Sequence, residues 1–230
     1  MDHQGRILKA LEGKITGFYL AGGTALARYY FRHRESDDLD FFTQEFNPLE
    51  VFELIKEIEA YPEYRVEPVK EIEGRAVFYM VRSKGKDVQE IDFVRDFLKL
   101  KSEPNMINGI PVLSLEDIYI RKIYAAAGAV EVIGLNRKKK IIETGRQEAK
   151  DFCDLYFLSH TSEPLSAFAA SNCNQVIKEG LIRWFKVYNR KKMENGLRDL
   201  KMKKRVDAAG MEKHFKQEID KLIKKETSFI

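Results

Sequence analysis

The sequence predicts an α+β protein, in which a mixed β-sheet with flanking helices is followed by an all-helical C-terminal region. Residues 1–112 alternate helical patterns with short runs rich in β-branched and aromatic residues. After Pro111 the chain shows helical periodicity to its end and contains no long Gly/Ser/Pro linker. We therefore predict two domains that pack together, residues 1–112 and residues 113–230.

The elements of the first domain are predicted in chain order. A buried strand at 18–21 ends at Gly22-Gly23, where a helix at 24–32 can begin, and a second strand covers 38–42. Asn47 is a typical N-cap for the next helix, because Pro48 occupies its first position. Three further strands are predicted at 64–69, 75–82 and 88–94. Asn108-Gly109 predicts a tight hairpin turn after them.

The second domain is predicted to consist of helices alone. Ser114 and Asp117 have the spacing of a helix start. From there we predict successive helices, interrupted by loops near 134–146, 161–164 and 189–197.

Composition excludes several classes of protein. With 44% hydrophobic and 33% charged residues, the 230-residue chain can bury a core and is not a disordered tail. It has no apolar run of the ~18 residues that a membrane helix requires, and its charged start lacks the apolar region of a secretory signal. Cys153 and Cys173 form no CxxC pair, which fits a reducing compartment. We therefore expect a cytoplasmic protein.

The net charge of +4 is unevenly distributed. Residues 1–115 contain 16 basic and 20 acidic residues, whereas residues 116–230 contain 24 and 16. The segment 183–205, which we call the basic segment, contains ten basic and two acidic residues and accounts for the whole excess of the second half. Such a segment either binds a polyanion or forms a solvated helix face. Its aromatic residues have helical spacing, which is also typical of core positions.

The first half contains candidate metal ligands on two strands. Asp38 and Asp40 are two residues apart, so a strand places both carboxylates on one face. Carboxylates this close repel each other unless one is protonated or a cation such as Mg²⁺ or Mn²⁺ lies between them. Asp92 is the best candidate for a third carboxylate, because it lies within an apolar strand; Glu90 is the second choice and a solvent-facing strand the alternative.

A phosphate-binding turn is predicted beside these carboxylates. Gly22, Gly23 and Thr24 lie between a strand and a helix, where backbone N–H groups and a hydroxyl can approach a phosphate. The alternative is a tight turn that needs glycine for its backbone angles. A phosphate cradle next to a metal-binding carboxylate pair is what phosphoryl or nucleotidyl transfer requires.

These residues resemble the AbiEii/AbiGii toxin family of DNA polymerase β-like nucleotidyltransferases. The shared pattern is a GG[ST] turn at Gly22, an HRxS element from His33 to Ser36, and DLDFF from Asp38, with 14 residues between Gly23 and Asp38. The resemblance covers roughly residues 18–42 and 113–158. It implies a nucleotidyltransferase fold with Asp38, Asp40 and Asp92 as metal ligands. Arg34 and Ser36 either contact the nucleotide or stabilise the loop before Asp38.

Further residues of the resemblance lie in the second half. Lys122 occupies an apolar helix face, so it either reaches out to solvent along that face or binds the triphosphate. Lys150, Asp151 and Asp154 resemble the RDxxDL element of the family, with lysine in place of arginine. Lysine cannot make the bidentate hydrogen bonds to a phosphate or carboxylate that arginine makes. The two aspartates either orient basic residues or supply a general base. A plain ion pair between Lys150 and Asp154 is the alternative.

The resemblance implies an enzyme that transfers an NMP from an NTP to an acceptor hydroxyl in a Mg²⁺-dependent reaction. It further implies a toxin of a toxin–antitoxin or phage-defence system with a cognate antitoxin as partner. We expect RNA, specifically the 3′ end of tRNA, as the acceptor, because the basic segment favours a polyanion. The alternatives are nucleotidylation of a protein or small molecule, and a catalytically idle binding protein of the same fold.

Overall fold

The protein is described from a computed structural model. The structure describes residues 2–84, 88–133, 139–143 and 145–227, and for 129–133, 139–143 and 227 the backbone alone. The chain divides into two compact units, Met1–Ile118 and Tyr119–Ile230. The division falls within a helix that begins at Leu115, and the boundary at 112 stays a prediction. Within the described ranges, no helix is both long enough and apolar enough to cross a membrane.

The first unit contains a mixed seven-stranded sheet with flanking helices, as predicted. Its strand order is β3-β4-β5-β2-β1-β7-β6, with β2 parallel to β5, β1 parallel to β7, and the other pairs antiparallel. Helix α1, which the sequence pattern did not reveal, precedes the sheet. The elements are α1 His3–Leu11, β1 Tyr19–Leu20, α2 Gly22–Thr24, a π-helical segment Ala25–Tyr30, β2 Leu39–Thr43, α3 Pro48–Glu59, β3 Tyr64–Ile72, β4 Ala76–Ser83, β5 Val88–Arg95, β6 Asn105–Ile107 and β7 Ile110–Val112.

Local sequence signals in the first unit work as predicted. Asn47 caps α3, because its side chain accepts a hydrogen bond from the Leu49 N–H at 3.1 Å. Asn108 and Gly109 both have positive φ, +50° and +71°, as a two-residue hairpin turn between β6 and β7 requires. The aromatic rings of Phe41 and Phe93 stack at 5.5 Å in the core beneath the centre of the sheet.

The second unit is mainly helical, as predicted, with one addition. A two-stranded antiparallel hairpin, β8 Ala129–Ile133 and β9 Lys139–Glu143, overlaps the region predicted as a loop at 134–146 and the end of the helix predicted before it. The helical pattern continues through residues 130–133, where Val130, Val132 and Ile133 are β-branched and suit a strand better. The helices are α4 Leu115–Ala127, α5 Ala149–Thr161, α6 Leu165–Asn172, α7 Gln175–Val187, α8 Arg190–Asp199 and α9 Ala208–Thr227.

Helix α8 replaces most of the loop predicted at 189–197. The side chain of Asn189 caps it by accepting the Lys192 N–H at 2.9 Å. Gly196 lies within α8 and does not break it. A Cβ at that position would lie only 2.7 Å from the Cβ of Ala149 in α5. The glycine therefore serves close helix packing, a tertiary constraint that the local sequence does not show.

The aromatic residue Trp184 of α7 belongs to the core of the second unit. Trp184 is 3% exposed, its ring lies 4.2 Å from that of Phe152, and its indole N–H donates to the Arg146 carbonyl at 3.0 Å. Of the two interpretations of these aromatic residues, the structure supports core packing for Trp184.

Candidate active site

Two parallel strands bring the predicted carboxylates together. The register of β2 and β5 pairs Asp40 with Asp92, and neighbouring strands lie about 4.8 Å apart. Asp38 lies two residues before Asp40 and is half-buried. The intervening side chains of Leu39 and Phe41 are fully buried on the opposite face. An apolar layer thus anchors a surface that presents three carboxylates.

Crowding and burial change the acidity of Asp92. Desolvation, followed by the negative charges of Asp40, Asp38 and Glu90, raises its pKa to about 7. The register places Asp92, and not Glu90, opposite Asp40, which favours Asp92 as the third metal ligand. A set of carboxylate oxygens that repel one another fits a hard divalent cation such as Mg²⁺ or Mn²⁺.

The raised pKa of Asp92 predicts a specific pH dependence of stability in the metal-free protein. The folded state binds this proton more tightly than the unfolded chain, so the stabilisation is complete below the ordinary carboxyl pKa near 4 and is lost as the pH rises through about 7. We expect Asp92→Asn to be more stable than the natural protein at pH 8, with a smaller difference at pH 5. Urea unfolding in EDTA measures this; identical pH profiles for both proteins would contradict the prediction.

The Gly22 turn contacts the first carboxylate pair directly. The Ala21 N–H donates to the Asp40 carbonyl at 2.8 Å, and Gly22 follows with φ +64°. A Cβ on Gly22 would collide with the Asp40 carboxylate. Glycine is therefore required here both by the backbone angle and by the space that Asp40 occupies. Helix α2 begins at Gly22, so the first N–H groups of the helix have no acceptor within it.

Arg34 and Ser36 surround the second glycine. A Cβ on Gly23 would clash with the Arg34 guanidinium and would lie 2.9 Å from the Ser36 hydroxyl. Arg34 is 3% exposed, and its Nη1 donates to the Glu35 carbonyl at 2.8 Å. Nearby, His33 is fully buried, with its ring 5.8 Å from that of Phe31. The HRxS element therefore packs on the glycine turn.

The Thr24 side chain connects the turn to the carboxylate strand. Its hydroxyl donates to the Asp38 carbonyl, and Thr24 is fully buried. This bond fixes the backbone of Asp38 relative to α2. The contribution of Thr24 to phosphate binding is consequently expected from its backbone N–H, at the start of the helix.

We predict that removing the Thr24 hydroxyl affects the chemical step more than NTP binding. Thr24→Val leaves the Asp38 carbonyl without this donor, so we expect kcat to fall roughly tenfold, about 1.4 kcal/mol, with little change in the KM for NTP. Thr24→Ser keeps the hydroxyl and should retain most of the activity. A large rise in KM with kcat unchanged would instead assign the hydroxyl to nucleotide binding.

Gln89 is a residue that sequence reasoning missed. It is 4% exposed, and its amide nitrogen donates to the Asp37 carbonyl and, at 2.8 Å, to the Glu90 carbonyl. It thus links the chain that enters β2 to β5, at the carboxylate end of both strands. The signal in the sequence is an amide on the strand face that otherwise carries Ile91 and Phe93.

Three of the remaining predicted residues, Lys122, Asp151 and Asp154, form an ion-pair cluster in the second unit. Lys122 Nζ lies 3.1 Å from Asp151 Oδ1 and 2.7 Å from Asp154 Oδ2, and both aspartates are fully buried. Arg146, which sequence reasoning missed, lies 3.3 Å from Asp151. Lys150 pairs with Glu148 at 3.3 Å. The two aspartates therefore contact a basic residue, Lys122, as an orienting role requires. The nucleotide-binding role of Lys122 stays a prediction.

Comparison with solved structures identifies the fold. The chain aligns with JHP933 from Helicobacter pylori at 20% identity and a TM-score of 0.62, covering 100% of this chain and 97% of that one. It aligns with MenT4, a nucleotidyltransferase toxin from Mycobacterium tuberculosis H37Rv, at 18% identity and a TM-score of 0.53, covering 96% and 81%. These similarities show a shared fold. No curated protein matches the sequence significantly.

The family assignment comes from the sequence model described as nucleotidyl transferase AbiEii toxin, Type IV TA system. It matches residues 6–228, which is nearly the whole chain and includes both units. This protein therefore belongs to the AbiEii nucleotidyl transferase toxin family and is a nucleotidyltransferase.

Proposed function

We propose that the protein transfers an NMP from an NTP to a hydroxyl of RNA, the 3′ end of tRNA, in a Mg²⁺-dependent reaction in the cytoplasm. The observation that carries the proposal is the pairing of Asp40 with Asp92 beside the Gly22 turn. This arrangement supports a cation site next to a helix start that can hold phosphate. The basic segment supports a polyanionic acceptor.

Each part of the first unit has a role in this reaction. The first N–H groups of α2, from Gly22 to Thr24, hold the triphosphate, with Arg34 and Ser36 beside them. Asp38, Asp40 and Asp92 hold Mg²⁺ or Mn²⁺. A bound divalent ion supplies neutralisation of the triphosphate charge and polarisation of the acceptor hydroxyl.

The reaction balances without any further reactant. The acceptor oxygen forms a bond to the α-phosphorus while the bond from that phosphorus to the pyrophosphate oxygen breaks. Asp92 accepts the proton of the acceptor hydroxyl, and pyrophosphate leaves with the electron pair of the broken bond. In the second unit, Asp151 and Asp154 orient the Lys122 ammonium, whose proposed role is to bind the triphosphate.

The biological setting proposed here is a toxin with a cognate antitoxin. The family description names a toxin of a type IV toxin–antitoxin system, and MenT4 is described as a nucleotidyltransferase toxin. A toxin that modifies the 3′ end of tRNA would block aminoacylation, because amino acids are esterified to a hydroxyl at that end.

The acceptor is tested by incubating the protein with each α-labelled NTP, Mg²⁺ and total cell extract. We expect the label on small RNA, and none with an Asp40→Asn variant. Label on protein or on small molecules would assign the enzyme to those acceptors. A complete absence of transfer, together with no binding of Mg-NTP, would indicate a catalytically idle member of the fold.

Neutralising the basic segment tests its contact with RNA. We predict that changing four exposed residues to glutamine, Lys186, Arg198, Lys204 and Arg205, weakens RNA binding and lowers the dependence of log K on log salt by about 0.7 to 0.9 per lost phosphate contact. The matched control changes four exposed lysines of α9, namely Lys213, Lys216, Lys224 and Lys225. An unchanged salt slope would remove the basic segment from the proposed acceptor surface.

A further inference from the structure

An open groove of about 560 Å³ lies within the second unit, between the first turn of α5 and one face of α8. Its closest packing point is Gly196, whose missing side chain lets α8 approach Ala149. Amide and charged side chains of α8, and of the residues just before α5 and α8, line the groove around that point. We call it the α5–α8 groove. Its volume lies within the range of pockets that hold small molecules.

Three amide side chains line the α5–α8 groove beside its four charged side chains. They belong to Gln147, Asn189 and Asn195. The side-chain oxygen of Asn189 accepts the Lys192 N–H as the cap of α8, so its amide N–H groups are the donors that this side chain can offer to a ligand. Amides that both donate and accept hydrogen bonds are suited to the edge of a nucleobase.

The charge of the groove favours a nucleobase over a free phosphate as its occupant. The lining contains two lysines, Lys191 and Lys192, and two acids, Glu148 and Asp199, so its formal charges sum to zero. Glu148 pairs with Lys150 at 3.3 Å. A site for a bare phosphate would be cationic. A nucleobase is neutral, and its amino groups can donate hydrogen bonds to carboxylates. The cations that would bind the adjoining phosphates are Lys191 and Lys192, which are exposed, line the groove and lie at the centre of the basic segment.

We propose that the α5–α8 groove binds one unpaired nucleotide of an RNA, with the amides on its base and Lys191 and Lys192 on its phosphates. The proposal rests on the proposed function in one respect, namely that RNA is the acceptor. It goes further by assigning recognition of a single-stranded nucleotide to named residues of the second unit.

The test measures binding of the full-length protein to a fluorescent single-stranded RNA and to a duplex RNA of equal length, without NTP or metal. The double variant Gln147→Ala/Asn195→Ala should bind the single strand roughly tenfold more weakly, with an unchanged salt slope and unchanged duplex binding. Gln217→Ala, an exposed amide on α9, is the matched control and should bind normally. Urea midpoints confirm that the variants are folded.

The lysines are tested separately by salt dependence. Lys191→Gln/Lys192→Gln should lower the slope for single-stranded RNA by about 1.4, whereas Lys213→Gln/Lys216→Gln on α9 should not. Normal binding by the amide variant, or an equal loss for single-stranded and duplex RNA, would overturn the proposal.

The two proposals fail in different measurements. If the amide variant binds RNA normally while Asp40→Asn stops transfer of the label onto RNA, the groove is wrong and the proposed function stands. If the label reaches protein or small molecules while the amide variant loses single-strand binding selectively, the groove binds RNA and the proposed acceptor is wrong.

Discussion

Replacing Asp40 with asparagine should lower the rate of nucleotidyl transfer by roughly a thousandfold or more, equivalent to about 4 kcal/mol of transition-state stabilisation. Asp40 contacts both the third carboxylate strand and the glycine turn of the first unit. Its register partner is Asp92, and its carboxylate occupies the space beside Gly22. The change removes one charge from the proposed cation site and keeps the shape of the side chain.

The loss of activity should not come from unfolding. Asparagine relieves repulsion between Asp40 and Asp92 in the metal-free protein, so the free energy of unfolding should stay equal or rise. Asp37→Asn is the matched control, because Asp37 is exposed and lies next to Asp38 in the chain. Steady-state rates with purified RNA and NTP measure both variants. An Asp40→Asn enzyme with more than about a tenth of the natural rate would contradict the metal assignment.

Replacing Lys122 with methionine should destabilise the protein by about 3 to 5 kcal/mol. The lysine is 7% exposed and its ammonium lies between two fully buried carboxylates, Asp151 and Asp154. Methionine fills a similar volume but leaves both buried charges without that ammonium. In this variant Asp151 still has the partly exposed Arg146 guanidinium at 3.3 Å. The expected loss of stability is therefore smaller than for two buried carboxylates without any cation.

Lys150→Met is the control for the Lys122 prediction. Lys150 is adjacent in sequence to Asp151, but it pairs with Glu148, and both of these side chains are substantially exposed. Its replacement should therefore lower the free energy of unfolding by less than about 1 kcal/mol. Urea unfolding compares the two variants, and equal stabilities would refute a structural role for the buried pair. Measuring NTP affinity of Lys122→Met under conditions where it is folded tests the separate proposal that Lys122 binds triphosphate.

Short-range sequence signals predicted most of the elements that build the first unit. The strand beginning at Tyr64, the cap at Asn47 and the hairpin turn at Asn108-Gly109 depend on alternation and on backbone angles, which neighbouring residues determine. The second unit was harder to predict. The hairpin β8–β9 follows directly on a helical pattern, and Gly196 in α8 has the local character of a helix breaker.

The sequence by itself determined which chemical groups are available and where the charge lies. It spaced Asp38 and Asp40 two residues apart, put two glycines after a strand, and confined the basic excess to the segment 183–205. These are properties of spacing and composition. The resemblance to a nucleotidyltransferase family rests on the motifs at residues 18–42 and 113–158.

Only the tertiary structure decided which of these groups meet. Asp92 lies opposite Asp40 because β5 joins β2 in parallel across 52 residues of chain, a pairing that no local pattern encodes. The same holds for the Thr24 hydroxyl on the Asp38 carbonyl and for Lys122 between Asp151 and Asp154. Strand register and helix packing are set by burial of apolar side chains from distant parts of the chain, and the polar groups of the site are positioned as a consequence.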